Sequence, residues 1–269
     1  MFLRDVHADA TIQTLRKLIR QNPLGILTTA IASPNYPLLQ SSHIPFVLDV
    51  EDEESETELG VLRCHVARPN PQSKAMIESL KAAQQQGKDG AGGDGRPGVL
   101  EQEVLVLFNA PAHHYVTPKF YTETKPTTGK VVPTWNYATA QVYGRARVYH
   151  DSKSEESRAF LSKQIHDLSQ QSETSIMGYT GLGDRPGPWS VTDAPERYIE
   201  LLQKNIIGIE ITIDRLEGKF KMSQEMQPGD REGVIKGFAN LGSEVGAEMS
   251  RLVKERGELK EAKTAKVSS

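Results

Sequence analysis

Apolar positions along this chain recur with two different periods. Across residues 9–21, Ile12, Leu15, Leu18 and Ile19 share one face at helical spacing, with Asp9 placed to cap the helix and Pro23 to end it. Across residues 206–215 the alternation is strict. Ile207, Ile209, Ile211 and Ile213 fall on one side and Glu210, Thr212 and Asp214 on the other, which predicts a half-buried strand. Both stripes read as core. Further strand-like runs cover residues 25–31, 38–50, 59–66, 103–109 and 138–150, and Phe220-Lys221-Met222 resumes after a Glu217-Gly218 break. Pro45 marks the 38–50 run as an edge strand or an interrupted one. Helical patterns return at 71–86, 154–171, 195–204, 229–241 and 243–262, with Pro71 suited to a first turn. The strands do not alternate strictly with helices, so the order predicts an antiparallel α+β fold rather than a doubly wound parallel sheet.

Hydrophobic residues make up 37% of the 269 positions, enough for a core and too many for a disordered chain. No internal repeat or shift in composition divides the sequence, so residues 1–241 read as a single domain. Two segments stand apart. Residues 87–98 form a Gly-rich run that reads as a flexible surface insertion; with no strand before it and no Gly-Lys-Ser/Thr ending, it is not a phosphate loop. Residues 242–269 read as a charged, helical, solvated tail.

Charge and cysteine content narrow the function classes. The net charge is −3 and no basic recognition helix is visible, which argues against direct nucleic-acid binding. Cys64 is the single cysteine, so no internal disulfide can form, and the expected location is the cytosol, or cytosol and nucleus. Acids come early in the N-terminal segment, unlike a signal peptide, and no apolar run approaches the roughly 18–20 residues of a membrane span.

Familiar catalytic motifs are missing. There is no Gly-x-Ser-x-Gly, no Rossmann glycine pattern and no zinc-ligand spacing. Cys64 and His65 are adjacent on a strand, so they face opposite sides and make a poor dyad. His113-His114 is the one local histidine pair, and sequence neighbours rarely chelate one metal. Four segments nevertheless place polar groups within or beside strands. They are Ser41-Ser42-His43-Ile44-Pro45-Phe46, His65-Val66-Ala67-Arg68-Pro69-Asn70-Pro71, Tyr115-Val116-Thr117-Pro118-Lys119-Phe120-Tyr121 and Gly129-Lys130-Val131-Val132-Pro133-Thr134-Trp135-Asn136-Tyr137. Buried polar groups need partners, and four such segments suggest convergence on an anionic, aromatic ligand.

Together with the stretch from Ile207 to Gln224, these segments resemble the PaiB-type family of FMN-binding split-barrel proteins, over roughly residues 1–241. Cys64 departs from the family pattern, which commonly has Gly there; the acidic loop 51–58, the Gly-rich run and the tail depart as well. The resemblance implies a split β-barrel with peripheral helices, a homodimer, and FMN as cofactor, with haem as the alternative; founders of the family are described as negative transcriptional regulators. The activity it suggests is a flavin-dependent oxidoreductase. By the same resemblance, Arg68 and Lys130 are the phosphate candidates. Ser42, Asn70, Thr134 and Asn136 are hydrogen-bonding candidates, Trp135, Tyr137 and Tyr121 are ring contacts, and His43 and His65 bond a flavin or ligate haem. Turn capping, core packing and surface ion pairs are the competing roles for the same residues. Arg147 reads as a solvent-facing strand residue.

Overall fold

A computed structural model describes residues 1–87 and 96–267. Most of the Gly-rich insertion, residues 88–95, lies outside the described residues. The strands are β1 (Ala8–Asp9), β2 (Leu24–Ala30), β3 (Leu39–Pro45), β4 (Val47–Asp49), β5 (Val61–Ala67), β6 (Val99–Asn109), β7 (His114–Val116), β8 (Thr134–Tyr149) and β9 (Ile206–Lys221). The helices are α1 (Ile12–Gln21), α2 (Pro71–Gln85), α3 (Thr124–Thr128), α4 (Glu155–Gln171), α5 (Glu196–Gln203), α6 (Pro228–Ala239) and α7 (Glu244–Val267). This is the α+β class expected, and every strand pair with a described register is antiparallel.

The chain forms two compact units. The first comprises Met1–Leu18, Phe108–Gln141 and Glu217–Ser269; the second comprises Ile19–Leu107 and Val142–Leu216.

The second unit holds strands in the order β3-β2-β6-β8-β9-β5-β4. Its core follows from the isoleucine stripe: Ile207, Ile209 and Ile211 lie opposite Val66, Cys64 and Leu62, all buried. Pro45 does both things expected of it. It ends β3, which lies at one end of the strand order, and separates it from β4. Gly208 is required by close approach, since a Cβ there would strike the Phe160 ring, itself stacked on Tyr149 with centroids 4.0 Å apart. Arg63 is buried beneath α4. It binds Asp49 and donates to Asp167 at 2.7 Å and to Gln164 at 3.1 Å.

In the first unit, β1 pairs with the end of β9, Ala8 opposite Lys219 and Asp9 opposite Gly218. β7 pairs with the start of β8. Gly218 is a packing glycine rather than a turn, because Leu15 and the Asp9 carbonyl occupy the space its Cβ would need; β9 therefore runs unbroken to Lys221. The tail is helical but not simply solvated. Met249 and Val253 on α7 are fully buried, and Arg256 binds Asp9 at 2.5 Å and lies 3.4 Å over the Phe220 ring. Phe238 on α6 meets Phe120 and His114 edge-on at 5.5 and 5.4 Å, and Asp230 accepts the backbone N–H groups of Glu123 and Thr124 at 2.8 and 3.1 Å. The helical pair thereby fixes the segment that follows β7.

Candidate functional site

The residues singled out in the sequence fall into two sets, one in each unit. In the second unit, Asn70 is the N-cap of α2. Its side chain accepts from Gln72 N at 2.8 Å and donates to Ser42 Oγ at 3.1 Å, so the structure joins these two in a local scaffold. Arg68 donates from Nε to the Lys204 carbonyl at 3.1 Å and from one terminal nitrogen to the carbonyls of His150 and Ile206, at 2.8 and 3.2 Å. Most of its donor fork is engaged in tying the end of β5 to distant backbone. His43 is exposed on β3. His65 is half-buried; its Nδ1 is buried with no hydrogen-bond partner among the described residues, and burial lowers its pKa, which keeps the ring neutral at neutral pH. Arg147, expected to face solvent, instead donates to Glu156 at 2.9 Å, to the Tyr149 hydroxyl at 3.0 Å and to the Pro97 carbonyl at 3.2 Å.

The first unit gathers the aromatic candidates. Trp135 is 49% exposed, and its indole N–H donates to His113 Nδ1 at 3.2 Å. Tyr115, also exposed, meets the Trp135 ring edge-on at 6.2 Å. Tyr121 is buried and donates to the Val132 carbonyl at 3.3 Å. Burial, reinforced by Glu225, Asp230 and Tyr115, pushes its pKa up to about 12, so the phenol stays protonated. Lys130 is exposed in the loop after α3. Asn136 is 0% exposed and exchanges hydrogen bonds of 3.0 and 3.2 Å with Ser223, which is equally buried. It supports the backbone and does not present its amide outward.

Sequence reading missed the groups beside this aromatic face. Lys221 Nζ donates to Thr134 Oγ1 and, at 3.1 Å, to the Trp135 carbonyl. Lys219 Nζ lies 5.4 Å from the centroid of the Tyr137 ring. Ser223 adopts φ 57°, the single non-glycine residue with positive φ among the described residues. Gln224 pins the turn by accepting from Met222 N at 2.6 Å and donating to the carbonyls of Val6 and Phe220, at 3.0 and 2.5 Å. Strained backbone of this kind persists only where its surroundings over-determine it. The available signal was Lys219-Phe220-Lys221 itself, two cations one strand period apart. No group of His, Cys, Asp and Glu that could hold a metal ion occurs among the described residues, and no described helix is long and apolar enough to cross a membrane. Half-buried ammonium groups beside an exposed indole and a tyrosine ring fit a planar aromatic ligand that carries negative charge, which is the character of FMN.

Comparison with known proteins agrees with that character. Residues 1–215 match the family described as "Putative FMN-binding domain". The chain is 64% identical over 264 residues to an uncharacterized protein of Emericella nidulans, covering 98% of this chain and 100% of that one. It is 26% identical over 155 residues to protease synthase and sporulation protein PAI 2 of Bacillus subtilis, covering 58% and 64% of the two chains. Among solved structures, the FAD and heme binding protein from Mycobacterium smegmatis is similar at 13% identity and a TM-score of 0.42, over 80% of this chain and 73% of that one. With a family match from residue 1 to residue 215, the chain belongs to the family described as "Putative FMN-binding domain".

Proposed function

We propose that this protein is a homodimeric flavoprotein that uses FMN in redox chemistry, as a flavin-dependent oxidoreductase. The half-exposed indole of Trp135, fixed by His113 and edged by Tyr115 within the family-matched residues, carries the reading. An aromatic surface this open is poorly accounted for by core packing and suits the face of a flavin ring. Bound FMN supplies a reversible acceptor of a hydride or of single electrons. The chain's own part is to hold and orient it. Trp135 offers the stacking surface, the Tyr121 hydroxyl ties down the Val132 backbone, and Asn136 with Ser223 fixes the strand beneath. No side chain is assigned as acid or base.

Freshly purified protein should show flavin absorption, or quench the fluorescence of added FMN on titration. Colourless protein that leaves FMN fluorescence unchanged overturns the reading. A Soret band instead would favour haem, with His43, His65, His113 or His114 as axial ligand.

The homodimer rests on a different observation, in the second unit. Leu24 pairs with Pro45, Ile26 with His43 and Leu107, Thr28 with Ser41 and Leu105, and Ala30 with Leu39, so these side chains share one sheet face. Leu24 and Leu39 are more than half exposed. The polar pair in the middle is internally satisfied, Thr28 and Ser41 sharing a 2.8 Å hydrogen bond. A sheet face of this composition suits burial against a second copy.

A further inference from the structure

Lys219 and Lys221 stand two residues apart near the end of β9, so both side chains leave the same face of the strand. Both are half-buried. Lys221 Nζ is held by Thr134 Oγ1 and the Trp135 carbonyl, and Lys219 Nζ donates to the Phe2 carbonyl at 3.1 Å while lying near the Tyr137 ring. Neither ammonium has a carboxylate within ion-pair distance among the described residues. Of the neighbouring acids, Glu217 pairs with the Met1 amine at 2.9 Å; Glu225 lies 3.0 Å from His7 Nε2, its Oε2 buried without a hydrogen-bond partner among the described residues, and acts on Lys221 from beyond ion-pair distance. Burial lowers the Lys221 pKa; Glu225 pulls the other way, while the positive charges of Lys219 and Arg4 add to the lowering. Two half-buried cations with no carboxylate in ion-pair contact leave their charge available to an anionic ligand.

The other cations compare poorly. Arg68 has most of its fork on backbone carbonyls, and Lys130 stands in open solvent. A charge pair near a protein surface attracts about fourfold more strongly than one in bulk water, so the half-buried lysines hold an anion better than a fully exposed one does.

Resting on the flavin reading above, we infer that Lys219 and Lys221 form the anchor for a phosphomonoester dianion, that of FMN, beside the Trp135–Tyr137 strand. Inorganic phosphate shares this chemistry, and the two are separable by experiment. Flavin fluorescence titrations compare FMN with riboflavin for the parent, for Lys219→Gln/Lys221→Gln, for Lys221→Arg and for Lys236→Gln, an exposed lysine on α6. The double variant should lose FMN affinity by about ten- to a hundredfold per charge-assisted bond removed, while riboflavin affinity stays within about twofold of the parent. Lys221→Arg should keep the preference for FMN, and Lys236→Gln should match the parent. Without ligand, the double variant should remain folded, since relief of repulsion between the two ammonium groups offsets the loss of their bonds to Thr134, Trp135 and Phe2; Lys221→Arg, which keeps the charge, separates loss of the anchor from loss of those bonds. If the parent prefers FMN over riboflavin and the double variant keeps that preference, the anchor is overturned while the flavin reading stands. If the parent binds neither flavin, the flavin reading fails, and inorganic phosphate decides the anchor alone. Phosphate that raises the melting temperature of the parent but not of the double variant upholds it, and equal shifts overturn it.

Discussion

Asn136 and Ser223 are each other's partner in a fully buried pair, and Ser223 holds a left-handed backbone that costs a residue with a Cβ about 1–2 kcal/mol. Two substitutions separate the hydrogen bond from the backbone. Ser223→Ala keeps the unfavourable φ and leaves the Asn136 amide unpaired, a loss of about 1–3 kcal/mol in urea unfolding. Ser223→Gly loses the same bond but is free of the φ penalty, and should recover roughly 1 kcal/mol of that. An alanine variant as stable as the glycine variant would show that the φ carries no strain. Arg63 offers a second residue-scale test. Burial alone would raise the Asp167 pKa, but hydrogen bonds from Lys163, His166 and Arg63 outweigh it and hold the carboxyl at about 2. A carboxylate whose folded pKa lies below its unfolded value near 3.9 stabilises the fold above pH 4, and that stability disappears as pH falls from about 4 to 2. Arg63→Met should cost about 1–3 kcal/mol at neutral pH, because it leaves Gln164 and Asp49 without this donor and takes one of three donors from Asp167. It should also flatten the stability profile between pH 4 and 2. An acid limb as steep as the parent's would place the effect on other carboxylates.

At the scale of elements, α7 is where the sequence pattern misleads most. Its charges form local pairs along one side, Arg251 with Glu248 and Glu255, and such pairs resemble a free-standing helix. The buried side rests on Met249 and Val253, an i, i+4 pair too sparse to register as a stripe among so many charges. Met249→Ala should cost about 2–5 kcal/mol as a cavity in a buried contact, whereas Lys254→Ala should change stability by less than about 0.5 kcal/mol. Thermal melts of both variants check the contrast, and equal, small shifts would return α7 to the status of a solvated tail. The same elements show what could be read in advance. The isoleucine alternation of β9, the start of α2 at Pro71 and the proline break after β3 are local patterns, and the structure has them where the sequence predicts. That β9 runs on unbroken across residues 216–219 was hidden because Glu217-Gly218 looks like a turn; the need for glycine there comes from Leu15, some 200 positions away. Hence Lys219 and Lys221 escaped notice while the Trp135 segment, whose aromatic and polar residues break the strand pattern, did not. Arg68 was legible as an unusual arginine, but its carbonyl partners come from two far segments that no local pattern announces.

For the whole molecule, the association state follows from which surface can leave water. Leu24 and Leu39 lie at opposite ends of the β2–β3 hairpin on its outer face, 59% and 67% exposed, with Ile26, Leu105 and Leu107 half-buried between them. Burying a leucine side chain contributes about 1.5–3 kcal/mol, so a symmetric contact through this face counts each leucine twice. Leu24→Lys/Leu39→Lys places two charges per chain there, four per dimer, and a desolvated unpaired charge opposes association strongly. Because both positions are exposed in the single chain, the substitutions should alter the stability of the isolated chain by less than about 0.5 kcal/mol each. Sedimentation at micromolar concentration should therefore give twice the 29.8 kDa chain mass for the parent and the single chain mass for the double variant. Leu182→Lys, at a residue 74% exposed in the loop between α4 and α5, should sediment as the parent does. A parent that is monomeric refutes the dimer outright. A double variant that remains dimeric keeps the dimer but moves its interface away from the β2–β3 face.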